Sequence, residues 1–528
     1  MKRVLFIIFT LMLTLACVPE EKPSDSVSAG LTAVADKDGY SIKGVVSCSG
    51  IPLEGVMVSD GVHCAVTDLN GHYWLPTTID QDLVWISMPS GYEVAVQNGW
   101  QPMFWHVLDY SKIQNGQVQQ FDFELAKVNN DTFGLMVMTD VHIRGRHESI
   151  GNQTIDSLQF LSNVRPCMDN WASGGNNYAI VLGDMVQDSY VVKHNTGLPQ
   201  YKSLLKDLGM MVFHVPGNHE YEKGTFDAVP EYPENREVKK YYRHHMGPSY
   251  YSFNLGKVHF VVLDGTIITG LKTSAKEDRI SPRQLEWLRG DLSRAFDPMR
   301  EDVPQKLVIC CHQPFFSYTE KLNGVDGCVS NRNDVIKVLS DCNIKEAMIL
   351  SGHVHYSEIV NELSVNSVKI NQYTHPSVCG AFWIQDYNWD DTPNGWTEYS
   401  FAGASYSRSQ HAFNKELDTQ VIVNTDYTNA DGKKCLVINV PAYEKGWSVK
   451  VQKGLGEVSE LSQQKMLAPK YRQFYTENVD AYNGNHNISQ REAWHHFVYP
   501  VIDHGAEYKV VVTEPDGTEH VGKYVVNN

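Results

Sequence analysis

The chain is short of positive charge. It has 45 Lys and Arg residues against 62 Asp and Glu, which gives a formal net charge of −17 at pH 7. A surface of this sign repels nucleic-acid phosphates and anionic lipids. We therefore expect no nucleic-acid binding. The charge says little about a small phosphate substrate, because bound metal ions dominate the field inside a site.

Regularly spaced cysteines are also missing. Ten cysteines are present, but there is no Cys-x-x-Cys motif and no repeated spacing, so the sequence gives no disulfide framework. Cys310 and Cys311 lie within an apolar run, which favours buried thiols over bridges or ligands. Cys48 and Cys64 are a candidate disulfide pair in the first part of the chain.

The N-terminal apolar run is too short to span a bilayer permanently. Lys2 and Arg3 precede it, and it extends over residues 4–15, which is typical of a signal peptide. Ala16-Cys17 follows and resembles a bacterial lipoprotein cleavage site. We therefore predict that residues 1–17 are a lipoprotein signal, that Cys17 is the lipidated N-terminus, and that the protein lies in the periplasm or at the cell surface. An ordinary signal peptide with an incidental cysteine is the alternative.

A chain of 528 residues suggests about three domains. The middle of the chain carries five short polar blocks, each placed where an apolar run stops. The runs are residues 133–139, 178–182, 210–216, 306–311 and 346–351, and the blocks contain Asp140 and His142, Asp184 and Asp188, Asn218 to Glu220, His312, and His353 and His355. Short apolar runs bounded by Gly, Asn or Asp indicate buried strands. The polar residues should therefore lie at strand C-termini, where open α/β sheets bind their ligands.

The residue types in these blocks narrow the chemistry. Two Asp, one Asn and four His offer oxygen and imidazole donors, which suit Zn, Mn or Fe ions. Seven donors are too many for one tetrahedral ion. They suit two ions that share a carboxylate, about 3.5–4 Å apart, as in enzymes that transfer phosphoryl groups.

The blocks Asp-x-His, Gly-Asp, Gly-Asn-His-Glu, a lone His and Gly-His-x-His, in this order, resemble the calcineurin-like metallophosphoesterases over about residues 132–372. The resemblance implies two divalent or trivalent ions, of Mn, Zn or Fe. It implies that Asp140, His142 and His355 bind the first ion, that Asp184 bridges both, and that Asn218, His312 and His353 complete the second.

The resemblance also implies catalytic roles. A water or hydroxide on the metal ions would attack phosphorus, and His219 would bind the phosphoryl group and protonate the leaving oxygen. Asp188 and Glu220 are candidates for orienting imidazoles by accepting their other N–H groups. Two subgroups of the family are disfavoured. The Gly-Asp block lacks the Gly-Asp-x-x-Asp-Arg-Gly pattern of protein Ser/Thr phosphatases, and Gln187 stands where purple acid phosphatases have a metal-binding Tyr.

The flanking regions are predicted to be largely β. Residues 31–126 resemble transthyretin-like sandwiches, and residues 373–528 resemble the C-terminal β domain of secreted bacterial members of the same family. The predicted fold class is therefore α/β, with a central metallophosphoesterase β-sandwich flanked by helices and a β domain on each side. Four aromatic residues of the last region could roof the metal cleft or pack between domains. They are Trp383, Tyr387, Trp389 and Trp396.

These observations predict a metal-dependent phosphoester hydrolase outside the cytoplasm, attached to the membrane through lipid on Cys17. The sequence leaves monoester and diester substrates open. The alternative is a catalytically weak surface protein whose β domains hold a glycan or another partner.

Overall fold

The computed structural model describes residues 31–76, 82–143, 156–187, 197–221, 236–269, 276–318, 327–415, 417, 419–482, 491–500 and 503–526. The predicted signal segment 1–17, with Cys17, lies outside the described residues, and so does Asp188. Within the described part of the chain, no helix has the length and hydropathy needed to cross a membrane.

Residues 31–127 form two small sheets and a separate two-stranded sheet of β8 and β9. The elements are β1 (Ile42–Cys48), β2 (Ile51–Pro52), β3 (Met57–Ser59), β4 (Cys64–Val66), β5 (His72–Leu75), β6 (Leu83–Ile86), β7 (Tyr92–Val94), β8 (Val96–Gln97), β9 (Gln101–Pro102), β10 (Trp105–Val107), α1 (Tyr110–Gln114), β11 (Gln119–Gln120) and β12 (Phe123–Lys127). One sheet has the order β11-β1-β12-β7, and the other has the order β10-β6-β3-β4. This arrangement confirms the predicted N-terminal β-sandwich.

The middle of the chain alternates strands with helices. The strands are β13 (Thr132–Met138), β14 (Asn177–Val181), β15 (Val212–His214), β16 (Tyr251–Leu255), β17 (Val258–Leu263), β18 (Thr266–Ile268), β19 (Lys276–Asp278), β20 (Lys306–Cys311), β21 (Glu346–Ser351), β22 (Glu358–Val365) and β23 (Val368–Thr374). The helices are α2 (Asp156–Gln159), α3 (Arg165–Ala172), α4 (Leu198–Leu204), α5 (Arg236–Met246), α6 (Pro282–Ala295) and α7 (Arg332–Asp341), with a π-helical turn (Phe160–Val164) between α2 and α3. Ser281 caps α6 by accepting the backbone N–H of Gln284, and Pro282 follows as its first residue.

The C-terminal region is mostly β. Its elements are β24 (Gly395–Ala402), β25 (Ser405–Ala412), β26 (Ile422–Thr428), β27 (Lys434–Asn439), β28 (Ser448–Lys453), β29 (Val458–Leu461), β30 (Gln463–Leu467), α8 (Pro469–Tyr482), β31 (Glu492–Pro500), β32 (Glu507–Thr513) and β33 (Glu519–Val525). Two four-stranded sheets have the orders β26-β27-β31-β30 and β29-β28-β32-β33.

The hairpin β24–β25 does not belong to these two sheets. It extends the central sheet β15-β14-β13-β24-β25, in which β24 pairs antiparallel with β13. The central sheet therefore includes two strands from beyond residue 372, because β24 pairs with β13 and β25 pairs with β24. The predicted boundaries at 31–126, 132–372 and 373–528 stay predictions.

Two sheets face each other in the centre of the molecule. The second has the order β16-β17-β20-β21-β23-β22. On β13, Phe133 and Val137 belong to the apolar cluster shared with this facing sheet, whereas Met136 and Met138 belong to a cluster formed with helices. Both faces of the strand are covered, which explains its continuous apolar sequence. The predicted helix-flanked central sandwich is confirmed.

All five apolar runs form strands, as predicted. β13, β14 and β15 are parallel neighbours, and so are β20 and β21 in the facing sheet. Parallel strands end at the same edge of their sheet, so the polar blocks after them meet at one end of the sandwich. The predicted disulfide is absent, because Cys48 and Cys64 are both free.

The central core should dominate stability. Phe260 is fully buried and lies 6.2 Å from the ring of Phe133 across the two sheets. We expect Phe260→Ala to lower the free energy of unfolding by about 3–5 kcal/mol, because it leaves a cavity between the sheets. The guanidinium unfolding midpoint measures this. Val521 is 52% exposed, and Val521→Ala should change stability by less than about 0.5 kcal/mol. Equal midpoints for the two variants would contradict the assignment of the core.

Candidate metal centre

The structure brings the predicted ligands together at the end of the central sandwich. Asp140 and His142 follow β13, Asp184 follows β14, Asn218 follows β15, His312 follows β20, and His353 and His355 follow β21. All are buried except His353, which is partly exposed. Their distances divide them into two groups around Asp184.

The first group lies around Asp140. Its Oδ1 atom is 3.2 Å from Nε2 of His355 and 3.5 Å from Nε2 of His142. The two Nε2 atoms are themselves 3.0 Å apart. The other oxygen of Asp140 is held by the hydroxyl of Thr139, which donates at 2.7 Å, and by the backbone N–H of His353, which donates at 2.8 Å. One oxygen is therefore fixed by the protein, and the other faces the imidazoles.

The second group lies around His312. Its Nε2 atom is 3.0 Å from Oδ2 of Asp184 and 3.1 Å from Nδ1 of His353. Nδ1 of His312 lies 2.6 Å from the carbonyl oxygen of Leu182. Nδ1 of His312 thus faces a carbonyl oxygen while Nε2 faces Asp184, which is the arrangement expected of a metal-binding imidazole.

Asp184 lies between the two groups. Besides its contact with His312, its Oδ2 atom is 3.8 Å from Nε2 of His142 and 3.8 Å from Nε2 of His219. Its other oxygen accepts the backbone N–H of His219 at 3.0 Å. This bond orients the His219 loop. The His219 side chain keeps 23% of its surface exposed, against 5% or less for those of His142, His312 and His355.

The ligand loops have backbone conformations that residues other than glycine rarely adopt. Five of the seven candidate ligands have positive φ angles: Asp140 (53°), His142 (49°), Asp184 (51°), His353 (72°) and His355 (57°). Each such residue costs about 1–3 kcal/mol and persists only where the surrounding structure enforces it. Strain concentrated at these residues indicates a functional site.

Two glycines of the motifs are needed because atoms of a neighbouring loop lie very close to their Cα atoms. A Cβ atom at Gly217 would lie 2.2 Å from Oδ1 of Asp184. One at Gly352 would lie 1.9 Å from the Thr139 hydroxyl oxygen. Only glycine lets these loops come close enough to bring their neighbours, Asn218 and His353, to the site.

The electrostatics of the site call for positive charge. Burial alone would raise the pKa of Asp140 and Asp184, but the imidazoles beside them outweigh burial and hold both pKa values well below the usual range. Burial alone would lower the pKa values of His312 and His355, but the neighbouring carboxylates outweigh burial and raise both pKa values. The buried carboxylates and these imidazoles thus stabilise each other's charged forms.

The residues fit metal ions. Buried atoms without a hydrogen-bond partner among the described residues include Oδ1 of Asp140 and Oδ1 of Asn218. Buried polar atoms are rarely left unpaired in native proteins. The separations of 3.0–3.5 Å within the Asp140 group match donors on one tetrahedral ion, for which bonds near 2.1 Å give edges of roughly 3.4 Å.

Glu220 acts differently from the prediction. It was expected to accept an imidazole N–H, but its carboxylate instead accepts the backbone N–H groups of Gly217 at 2.6 Å, Asp184 at 2.9 Å and Val186 at 3.3 Å. It therefore fastens two ligand loops together through their backbones. These contacts could not be predicted from the sequence, because in two of the three bonds the partner lies 34–36 residues from Glu220 in the chain.

The C-terminal aromatic residues pack against the ligands rather than roofing an open cleft. The ring of Trp389 stacks on His355 at 5.1 Å and 16°, and Trp383 donates its indole N–H to the carbonyl oxygen of Val141 at 2.8 Å. Both side chains are 5% exposed. Trp396 lies elsewhere, stacked on His411. The packing alternative is therefore correct for Trp383 and Trp389.

Two residues near the site were missed by the sequence reasoning. The ring of Phe382 lies 5.4 Å from that of His142 and 5.0 Å from that of His355. The thiol of Cys379 is within 4.8 Å of donor nitrogens of the same two histidines. Both belong to a segment that follows β23, and no motif there signals a ligand.

Comparisons with known families cover most of the chain. Residues 134–357 match the model for the calcineurin-like phosphoesterase domain. Residues 40–128 match the model for the N terminal of calcineurin-like phosphoesterase, and residues 372–514 match the model for its C terminal. A sequence search of curated proteins found no match.

Solved structures give weaker likenesses. A purple acid phosphatase from yellow lupin (Lupinus luteus) is 13% identical, with 70% of this chain and 73% of that chain covered and a TM-score of 0.37. The PhoD structure is 12% identical, with coverage of 81% and 90% and a TM-score of 0.35. A 5'-nucleotidase from Candida albicans is 15% identical, with coverage of 54% and 52% and a TM-score of 0.32. These TM-scores are too low to add to the family assignment.

The bond from Trp383 to Val141 should stabilise the first ligand loop. Val141 lies between Asp140 and His142, so Trp383→Phe removes a bond that holds both ligands while keeping an aromatic ring. We expect Zn²⁺ affinity to fall about 10- to 100-fold, the effect typical of losing such support. Titration against a chelating dye measures it.

Trp171→Phe is the matched control. Trp171 also donates its indole N–H to a backbone carbonyl, that of Tyr178 at 3.0 Å, but this carbonyl is inside β14 and away from the ligands. Its variant should keep the original affinity. Equal losses in the two variants would mean that Trp383 has no specific role at the site.

Proposed function

We propose that this chain, which belongs to the calcineurin-like phosphoesterase family, hydrolyses phosphoester bonds with two metal ions held side by side. The observation that carries the proposal is the position of Asp184. Its Oδ2 atom lies 3.0 Å from Nε2 of His312 on one side and 3.8 Å from Nε2 of His142 on the other. A carboxylate flanked by donors on both sides suits two ions that share one ligand.

Each ion has its own set of ligands in this proposal. Asp140, His142 and His355 hold one ion. Asn218, His312 and His353 hold the other, and Asp184 contacts both. When bound, such ions neutralise charge on phosphoryl oxygens and lower the pKa of water toward ~7. Zn, Mn and Fe all suit nitrogen and oxygen donors of this kind.

His219 is the residue best suited to contact the substrate. Its backbone is fixed by the bond to Asp184, and its partly exposed imidazole lies 3.8 Å from Oδ2 of that residue. From there it can donate a hydrogen bond to a phosphoryl oxygen and pass a proton to the leaving oxygen. Proton transfer by a positioned side chain contributes about 10²- to 10⁴-fold to the rate.

Loss of turnover in defined variants tests the function. We expect the purified chain to hydrolyse p-nitrophenyl phosphate or bis-p-nitrophenyl phosphate with Zn²⁺ or Mn²⁺ and to lose activity in chelator. His219→Ala should lower kcat about 10²- to 10⁴-fold without loss of bound metal. Asp184→Asn should lose both activity and metal, measured by elemental analysis. The ester that is turned over faster identifies the substrate class.

His411→Ala is the control for His219→Ala. His411 is 40% exposed and pairs with Glu398 on the hairpin β24–β25, away from the ligands. Its variant should keep full activity. Activity that is insensitive to chelator and equal in all variants would contradict the proposal.

One observation favours the alternative of a surface binding protein. A cavity of about 300 Å³ lies between the central and C-terminal regions, with Tyr318, Tyr443 and Trp494 in its walls. This volume is at the lower end for small-molecule sites, and aromatic walls suit a sugar ring. Full metal occupancy without turnover of either ester would give this alternative the lead.

We also propose that the protein is a lipoprotein of the periplasm or cell surface. The proposal rests on the sequence around Cys17. We expect the chain to incorporate a palmitate analogue and to fractionate with membranes, and Cys17→Ala to abolish labelling and release the chain. Cys435→Ser is the control, because Cys435 is buried in the C-terminal region. Labelling that persists in Cys17→Ala would contradict the proposal.

A further inference from the structure

A buried thiol adjoins the Asp140 side of the candidate metal centre. Cys379 is fully buried, and its backbone N–H donates to the carbonyl oxygen of Asp140 at 3.3 Å. Its neighbour Val378 donates in the same way to Thr139 at 2.9 Å. The segment that carries the thiol is therefore joined directly to the first ligand loop.

The thiol belongs to a group of potential metal donors. The sulfur of Cys379, one nitrogen of His142 and one nitrogen of His355 all lie within 4.8 Å of one another. Two donors bound to one ion, with bonds of about 2.0–2.3 Å, lie no farther apart than roughly 4.6 Å. The distances among these three atoms are therefore close to those expected of donors that share an ion. Among the described residues, no other cysteine enters such a group.

An independent observation indicates a cation at the same place. Oδ1 of Asp140 is buried and has no hydrogen-bond partner among the described residues, although it faces the imidazoles of His142 and His355. The thiol contacts the imidazole of His355, the Ser377 hydroxyl at 3.7 Å and the carbonyl oxygen of Gly380 at 3.6 Å. No strong bond holds it away from the group.

We infer that Cys379 is a further ligand of the ion on the Asp140 side, bound as its thiolate. The inference rests on the proposed metal centre and extends it, because the family resemblance supplies only nitrogen and oxygen donors there. Binding releases the thiol proton to solvent, with no change of oxidation state. A thiolate makes this position softer and favours Zn²⁺ over Mn²⁺.

Cobalt substitution tests the inference without any activity assay. The detergent-solubilised full chain, loaded with Co²⁺, should show visible ligand-field bands and a near-ultraviolet thiolate-to-cobalt charge-transfer band. Cys379→Ser should lose the charge-transfer band and keep the visible bands, because the imidazole and carboxylate ligands remain. Cys379→Ala should give the same spectrum. Cys435→Ser should keep both features, since its sulfur contacts only the carbonyl oxygen of Lys433 among the bonds described.

The outcomes separate this inference from the proposed function. Visible cobalt bands without a charge-transfer band in the original chain would overturn the thiolate ligand and leave the metal centre standing. A charge-transfer band that persists in both Cys379 variants would overturn it too, since another sulfur would be responsible. No cobalt binding at all would overturn the proposed function. As a second readout, Cys379→Ser should weaken Zn²⁺ binding about 10-fold or more while Mn²⁺ binding changes little.

Discussion

Two buried carboxylates, Asp140 and Asp184, are the constraint on which the rest of the structure depends. Removing a charge from water is costly unless it is paired and hydrogen-bonded. Four imidazoles and the backbone N–H groups of His219 and His353 surround these carboxylates. Five of the seven candidate ligands have positive φ angles, and among the described residues Oδ1 of Asp140 and Oδ1 of Asn218 have no hydrogen-bond partner. Such an arrangement suits a bound cation, and it needs a rigid sandwich to hold the loops in place.

The sandwich provides that rigidity through its two buried faces. Phe133 stacks on Phe401 within one sheet and contacts Phe260 of the other, while the opposite face of β13 packs on helices. Interiors packed in this way deform little. The strain of the ligand loops, about 1–3 kcal/mol for each residue, is therefore sustained by a core many times larger in total stabilisation.

Sequence reasoning succeeded where the signal was local. Each candidate ligand follows an apolar run closely. The strands and the residues at their ends were therefore predictable from the apolar runs and from the Gly, Asn and Asp residues that bound them. The contacts of Glu220, the pairing of β24 with β13, and the approach of Cys379 to His142 were not predictable. They join segments far apart in the chain, and their residues have no local pattern that distinguishes a ligand from a core side chain. The roles of the seven candidate ligands, and those of His219, Asp188 and Cys17, stay predictions.

The C-terminal region contacts the candidate metal centre directly. Trp389 stacks on the candidate ligand His355, and Asp390 accepts the backbone N–H of Ser357 at 2.8 Å. Within the C-terminal region, Asp391 accepts two N–H groups at the start of α8. His495, from β31, lies 3.0 Å from Asp390. Displacing this region would remove the support behind His355. Because the candidate ligands and their support come from both sheets and the C-terminal segment, we expect ion binding to depend on the folding of all three.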